Sequence, residues 1–129
     1  MKNFFRKFII FLFFINLTNL FSILIENPSE EELSNLIKNN EFVLIDFYAK
    51  WCGPCKKMLP IFKRLEEKYN DLVFILIDID LEKNKNLIKK YKVVSVPKIF
   101  CIDKENKILF KIDGFVEEKK LEEEINKFK

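Results

Sequence analysis

From about residue 21 onward, short apolar runs alternate with stretches in which apolar residues recur every three or four positions. Phe42–Tyr48 (FVLIDFY) and Leu72–Ile79 (LVFILIDI) are short and mostly apolar, as expected of strands buried on both faces. Met58, Phe62, Leu65 and Tyr69 recur at spacings of four, three and four and predict an amphipathic helix between those strands. A Lys/Asn-rich helix with Leu87, Ile88 and Tyr91 facing inward follows, and Leu121, Ile125 and Phe128 mark a closing helix at i, i+4, i+7. Ser29-Glu30-Glu31-Glu32 is a capping box with Ser29 as N-cap and Glu32 at N3, so a first helix is expected over about 29–39. Phe21–Ile25 (FSILI), just ahead of it, reads as a first buried strand, while Lys98–Ile102 and Lys107–Ile112 read as a hairpin across a polar turn. The order is βαβαβαββα, which predicts an α/β fold with a mixed central sheet flanked by helices on both faces.

The N-terminus has a different pattern. Lys2, Arg6 and Lys7 precede an unbroken apolar run, Phe8–Ile15 (FIIFLFFI), and Asn16 to Asn19 are more polar. A basic segment, a short apolar core and a polar tail are the layout of a secretory signal peptide. Phe8 to Ile25 can also be counted as one 18-residue membrane anchor. Asn16, Thr18 and Asn19 would sit poorly at mid-membrane, but no small-x-small cleavage site is visible, so an uncleaved anchor stays open. The division expected is a signal peptide or anchor over 1–20 and one domain over 21–129. It places the domain in the secretory pathway or outside the cytoplasm, with a membrane-anchored or organellar location as the alternative.

Composition narrows the chemistry. The chain has 129 residues, 49% hydrophobic and 33% charged, enough for one packed domain and too apolar for disorder. It contains no histidine, which removes Cys-His and Ser-His pairs and His-ligated metals. Its net charge of +3 resides in Lys2, Arg6 and Lys7; beyond them basic and acidic residues balance at 20 each, giving no support to nucleic-acid binding.

Of the three cysteines, two stand in Trp51-Cys52-Gly53-Pro54-Cys55, between the second strand and the second helix. A Cys-x-x-Cys pair alone also serves zinc sites and ordinary disulfides. Here Cys52 falls at a helix N-terminus, where unpaired N–H groups and the helix dipole favour a thiolate. Lowering a thiol pKa from about 8.5 to about 7 raises its ionised fraction at pH 7 from about 3% to about half. Cys55, one turn later, is near enough to attack a mixed disulfide on Cys52, and Pro54 is tolerated in the first turn.

The run Val43-Leu44-Ile45-Asp46-Phe47-Tyr48-Ala49-Lys50-Trp51-Cys52-Gly53-Pro54-Cys55-Lys56 closely resembles the most diagnostic stretch of the thioredoxin family. Val96-Pro97 is similar to its active-site cis-proline element, Pro60 to the kink in its second helix, and Gly114 to the glycine after its last strand. The resemblance spans roughly 21–129 and implies the thioredoxin fold and protein-disulfide reduction. It also implies that Cys52 is the attacking thiol, Cys55 the buried resolving thiol, and Asp46 the carboxylate that takes a proton from Cys55. The Val96 backbone, held by cis-Pro97, would pair with an extended substrate, and Trp51, Gly53, Pro54, Val96 and Gly114 would form an apolar docking rim. Its Gly-Pro pair resembles that of reducing members, which work at about −270 mV. The implied partners are disulfide-containing proteins and an upstream thiol reductant or reductase, with neither cofactor nor metal.

The residues themselves agree with much of this. Asp46 sits in an apolar strand with no basic neighbour in sequence, and burial should raise its pKa toward the thiol range. A structural Asp bonded to backbone, and an ordinary trans Pro97 at a strand edge, are the plainer alternatives. Tyr48 stands where the family usually has a second Trp, and Leu76 where many members carry Lys or Glu near the buried Asp. The hairpin turn Asp103-Lys104-Glu105-Asn106 lacks the usual glycine and reads one residue longer. Cys101 alternates with Ile99 and is expected as a buried structural thiol, with regulation by oxidation or an intermolecular disulfide as the rival readings. A zinc site would need Cys52, Cys55, Cys101 and a carboxylate together. Lys83–Lys92 and Glu117–Glu124 read as solvated helix faces, the former alternatively as a docking surface for an acidic partner. Two other functions remain open: an oxidase or isomerase of the secretory pathway, and a polypeptide-binding subunit of a translocation complex without redox turnover.

Overall fold

The computed structural model describes residues 24–129; the expected signal or anchor segment, and residues 21–23 of the first strand, lie outside them. The elements are β1 (Leu24–Glu26), α1 (Glu30–Asn39), β2 (Phe42–Tyr48), α2 (Gly53–Lys68), β3 (Val73–Asp78), a 3₁₀ turn (Glu82–Asn84), α3 (Lys85–Lys90), β4 (Lys98–Asp103), β5 (Ile108–Asp113) and α4 (Glu118–Asn126). The five strands lie in the order β1-β3-β2-β4-β5, with β1, β3 and β2 parallel and β4 and β5 antiparallel. The mixed α/β sheet expected from the sequence is therefore present.

The strand pattern explains the two layers. Successive side chains of a strand face opposite sides, so Phe42 and Leu44 pack with Met58, Phe62 and Leu65 of α2 and Leu121 and Ile125 of α4. Val43, Ile45 and Phe47 face the other way and pack with Leu33 and Ile37 of α1 and Leu87 of α3. Helix α1 starts where the capping box requires. Ser29 Oγ accepts the Glu32 N–H at 3.2 Å, and Glu32 Oε2 accepts the Ser29 N–H at 2.7 Å.

Three details differ from expectation. The helix after β3 is split, because Asn84 turns inward: its Nδ2 donates to the Asp78 carbonyl (2.8 Å) and to Asn27 Oδ1 (2.9 Å). The β4–β5 hairpin carries a register shift at Cys101/Ile102. There Asn106, at φ 64°, takes the left-handed conformation usually given to glycine, and Asp103 Oδ1 accepts from the N–H groups of Glu105 and Lys107. Phe128 lies beyond α4 and stacks against Phe110 at 6.0 Å.

Candidate active site

The parallel strands β3 and β2 end together, and the chain leaving β2 turns at Ala49–Trp51 into α2. The Cys52 N–H donates to the Ala49 carbonyl at 3.2 Å, and Cys52 becomes the N-cap of α2. As N-cap its backbone is extended, so its side chain folds back over the first helical turn, where Sγ accepts the Cys55 N–H at 3.2 Å. Pro54 occupies the first turn, where it forfeits no helical hydrogen bond. Cys52 and Cys55 are joined as a disulfide with Cα atoms 5.2 Å apart. Both are buried, while Trp51 beside them is 69% exposed.

The second wall comes from the loop before β4. The Val96–Pro97 bond is cis, and the Val96 carbonyl oxygen lies 3.7 Å from Cys52 Sγ. Gly114 reaches the same place from the end of β5. Its N–H donates to the Pro97 carbonyl at 2.9 Å, and its φ of 86° is a conformation open to glycine and costly for other residues. Gly53 and Pro54 are exposed at the mouth. The structure thus gathers Trp51, Cys52, Gly53, Pro54, Cys55, Val96, Pro97 and Gly114 around one opening.

Asp46 approaches from beneath. It lies on the α2 side of β2, is 1% exposed, and its Oδ1 has no hydrogen-bond partner. Burial pushes its carboxyl up to about 8. The structural alternative, a carboxylate satisfied by backbone hydrogen bonds, does not fit that oxygen. Asp46 and Cys55 line the same cavity of about 220 Å³, together with Tyr48, Leu76 and Glu26. Leu76 pairs with Asp46 in the β2–β3 ladder, so the neighbouring strand offers it an apolar side chain and no charge. A larger hollow of about 440 Å³ between β1 and α1 touches neither cysteine.

Cys101 is fully buried on β4, and burial raises its thiol to about 12. It lies in the core layer between the sheet and α2, so the structure does not bring it to the other cysteines as a zinc site would demand.

One contact at the rim reaches a residue outside every motif of the sequence. The Trp51 indole N–H donates to Asp80 Oδ2 at 2.9 Å, and the Asp80 N–H donates to Asp78 Oδ1 at 3.0 Å. The Asp-x-Asp pair at the end of a buried apolar run was its only local sign.

A closed Cys-x-x-Cys disulfide at a helix start, flanked by a cis-proline loop on this sheet order, is a sulfur pair that can alternate between disulfide and dithiol. Comparison with known proteins narrows the class. The sequence model named Thioredoxin matches residues 25–127, and the chain belongs to the thioredoxin family. It is 40% identical over 83 residues to mitochondrial thioredoxin-3 of Saccharomyces cerevisiae, covering 64% of this chain and 63%, just under two thirds, of that protein. It is 33% identical over 95 residues to a thioredoxin of Mycoplasmoides gallisepticum, covering 74% of this chain and 92% of that one. Among solved structures it superposes with a TM-score of 0.72 and 28% identity on a chain from the complex of ferredoxin:thioredoxin reductase with thioredoxin f2, covering 84% of this chain and 96% of that one.

Proposed function

We propose that the protein reduces disulfides in polypeptide substrates through a Cys52–Cys55 dithiol cycle. The observation that carries the reading is that Cys52 faces the Val96 carbonyl while Cys55 shares a cavity with a protonatable, buried Asp46. The Cys52 thiolate attacks one sulfur of the substrate disulfide, forming a mixed disulfide and releasing the other sulfur as a thiolate. Cys55 then gives its proton to the Asp46 carboxylate and attacks Cys52 Sγ. The second substrate thiolate leaves, the substrate has gained two electrons, and Cys52–Cys55 is closed. A carboxyl with a pKa of about 8 suits this step, since it is near the thiol range and takes or releases a proton close to neutral pH.

The Val96 backbone supplies the edge for an extended substrate, and Trp51, Gly53, Pro54 and Gly114 its apolar surround. An upstream thiol reductant reopens the disulfide. The thioredoxin f2 complex with a reductase supports that kind of partner. The basic and apolar pattern of residues 1–20 supports delivery to an extracytoplasmic or membrane-adjacent compartment, in which oxidase or isomerase work is the second reading.

The test is the reduction potential of Cys52–Cys55, followed by Trp51 fluorescence against dithiothreitol or glutathione. A reversible two-electron couple near about −270 mV supports a reductase, whereas a value of about −180 mV or above favours oxidase or isomerase work. Cys52→Ser that still turns over disulfide substrates would overturn the mechanism.

A further inference from the structure

A groove of about 350 Å³ opens where α3, the following loop, β4 and β5 meet, and its rim is basic. Four lysines line it from separate segments: Lys90 from the end of α3, Lys92 from the loop, Lys98 from the start of β4 and Lys111 from β5. The hairpin register sets Lys98 opposite Asp113 and Phe100 opposite Lys111, so these side chains share one face of the sheet. Asp113 holds Lys98, with Nζ 3.1 Å from Oδ1. Among the described residues no carboxylate lies within ion-pair distance of Lys90, Lys92 or Lys111. On the opposite side of the sheet Arg64 and Lys68 are both matched, by Glu118 and Glu122.

The floor is apolar. Phe100 lies beneath Lys98, whose Nζ is 5.7 Å from the ring centroid, and Ile108 is 46% exposed, while the Tyr91 hydroxyl at the wall is buried without a hydrogen-bond partner. Lys92 stands in the left-handed region at φ 52°, at the end of α3 where glycine is the low-cost residue. The groove adjoins the cis-proline loop along the chain. Lys98 directly follows Pro97, and Val94, 91% exposed, stands between Lys92 and the Val96 carbonyl that faces Cys52.

We infer that this groove binds an acidic segment of the substrate polypeptide, carrying a large apolar side chain and lying a few residues from the reacting cysteine. The inference rests on the disulfide-reducing reading above and adds the substrate class to it. An extended chain advances about 3.3 Å per residue, so a peptide paired along Val96 reaches the lysines within a few residues. The unpaired lysines attract its carboxylates at long range, and the floor takes the apolar side chain.

The test uses the full chain, reduced with dithiothreitol and freed of it, and two synthetic peptides with one intramolecular disulfide each. They are identical except that one carries Asp and Glu beside a Phe and the other Asn and Gln; neutral dipyridyl disulfide reports on the dithiol alone. At low ionic strength the second-order rate constant of this single turnover for the acidic peptide should exceed that for its twin by about tenfold, and most of that advantage should vanish at about 0.5 M salt. In Lys92→Gln/Lys111→Gln the ratio of the two peptides should collapse toward one. Equal rates for the two peptides with the native chain, or an acidic advantage that survives the double substitution, would overturn the groove's role. Failure to reduce dipyridyl disulfide would instead overturn the oxidoreductase reading itself.

Discussion

The two faces of the central sheet are made by the same strands and differ in chemistry by a shift of one residue. On one face Phe42, Leu44 and Asp46 point toward α2 and α4; on the other Val43, Ile45 and Phe47 point toward α1 and α3. The second layer buries apolar side chains, with the Tyr91 hydroxyl and Lys98, paired to Asp113, as its polar groups at the edge. The first holds Asp46, whose burial is unfavourable and whose cavity leads to Cys55. Reactivity is thus confined to one side of β2, and the buried cluster on the other side supplies packing without any carboxyl or thiol. A strand that alternates strictly can keep a costly carboxyl in place because its immediate neighbours in sequence are stabilising a separate core.

That separation should break unequally under substitution. Cys55→Ser removes the thiol proposed to resolve the mixed disulfide, and multiple-turnover reduction should fall by at least about 10³-fold while that adduct accumulates on Cys52. Mass spectrometry of the trapped adduct measures this, and normal turnover would contradict the proposed division of labour. Phe47→Ala strikes the other face. Phe47 is fully buried and its ring meets those of Tyr91 and Phe100 at 5.5 and 5.8 Å. The substitution should cost about 3–5 kcal/mol in denaturant unfolding, while the molecules that remain folded reduce dipyridyl disulfide at the native rate.

Asp46→Asn separates the faces by pH. The folded-state pKa of about 8 lies above the ordinary 3.8, so the unfolded chain binds fewer protons than the folded one between those values. The stability held by the neutral carboxyl is whole below 3.8 and is lost as pH rises toward 8, with about 4 kcal/mol gone by pH 7. An asparagine side chain does not ionise and carries no such penalty, so the variant should unfold at higher denaturant at pH 8 and show a flatter pH dependence of stability. Its release of mixed disulfide should slow, and the rise of that rate through about pH 8 should disappear. An unchanged rate profile would remove Asp46 from the chemistry and leave it a structural residue.

The same contrast separates what the sequence disclosed from what it did not. Phe42–Tyr48 was legible because its run of large apolar residues starts after Glu41 and stops at the small Ala49 ahead of Lys50. The position of Cys52 followed from the helix start, and the burial of Asp46 from the apolar residues around it. The nearness of Val96 to Cys52, across 44 positions, came from family resemblance and not from any local pattern. Nor did periodicity reveal the split before α3, since Asn84 is drawn inward by Asn27, 57 residues away. Hydropathy reports which side chains avoid water; it is silent on which distant partner a buried amide or an exposed indole will find. The lysine groove is of that kind, as the hairpin register joins only Lys98 and Lys111, and the packing of α3 and its loop against the sheet adds Lys90 and Lys92.

The smallest effect belongs to the cap of α1, on the face away from the dithiol. Ser29 Oγ satisfies an N–H that the first turn of α1 would otherwise leave unpaired, and the returning bond from the Ser29 N–H holds the Glu32 carboxyl below its usual range. Ser29→Ala should lower stability by about 1 kcal/mol near neutral pH. Because the folded-state pKa of Glu32 is depressed, its contribution is present above the ordinary carboxylate range and is lost as pH falls through the folded value. The native chain should therefore lose stability in acid slightly faster than Ser29→Ala, as measured by denaturant titrations near pH 3 and pH 7. Through the same pH range the rate of disulfide release on Cys52 should be identical in the two proteins, since α1 packs through Leu33 and Ile37 in the core layer opposite Asp46. A shift in that rate profile would mean that the apolar layer transmits changes to Asp46, and that the two faces of β2 are not independent.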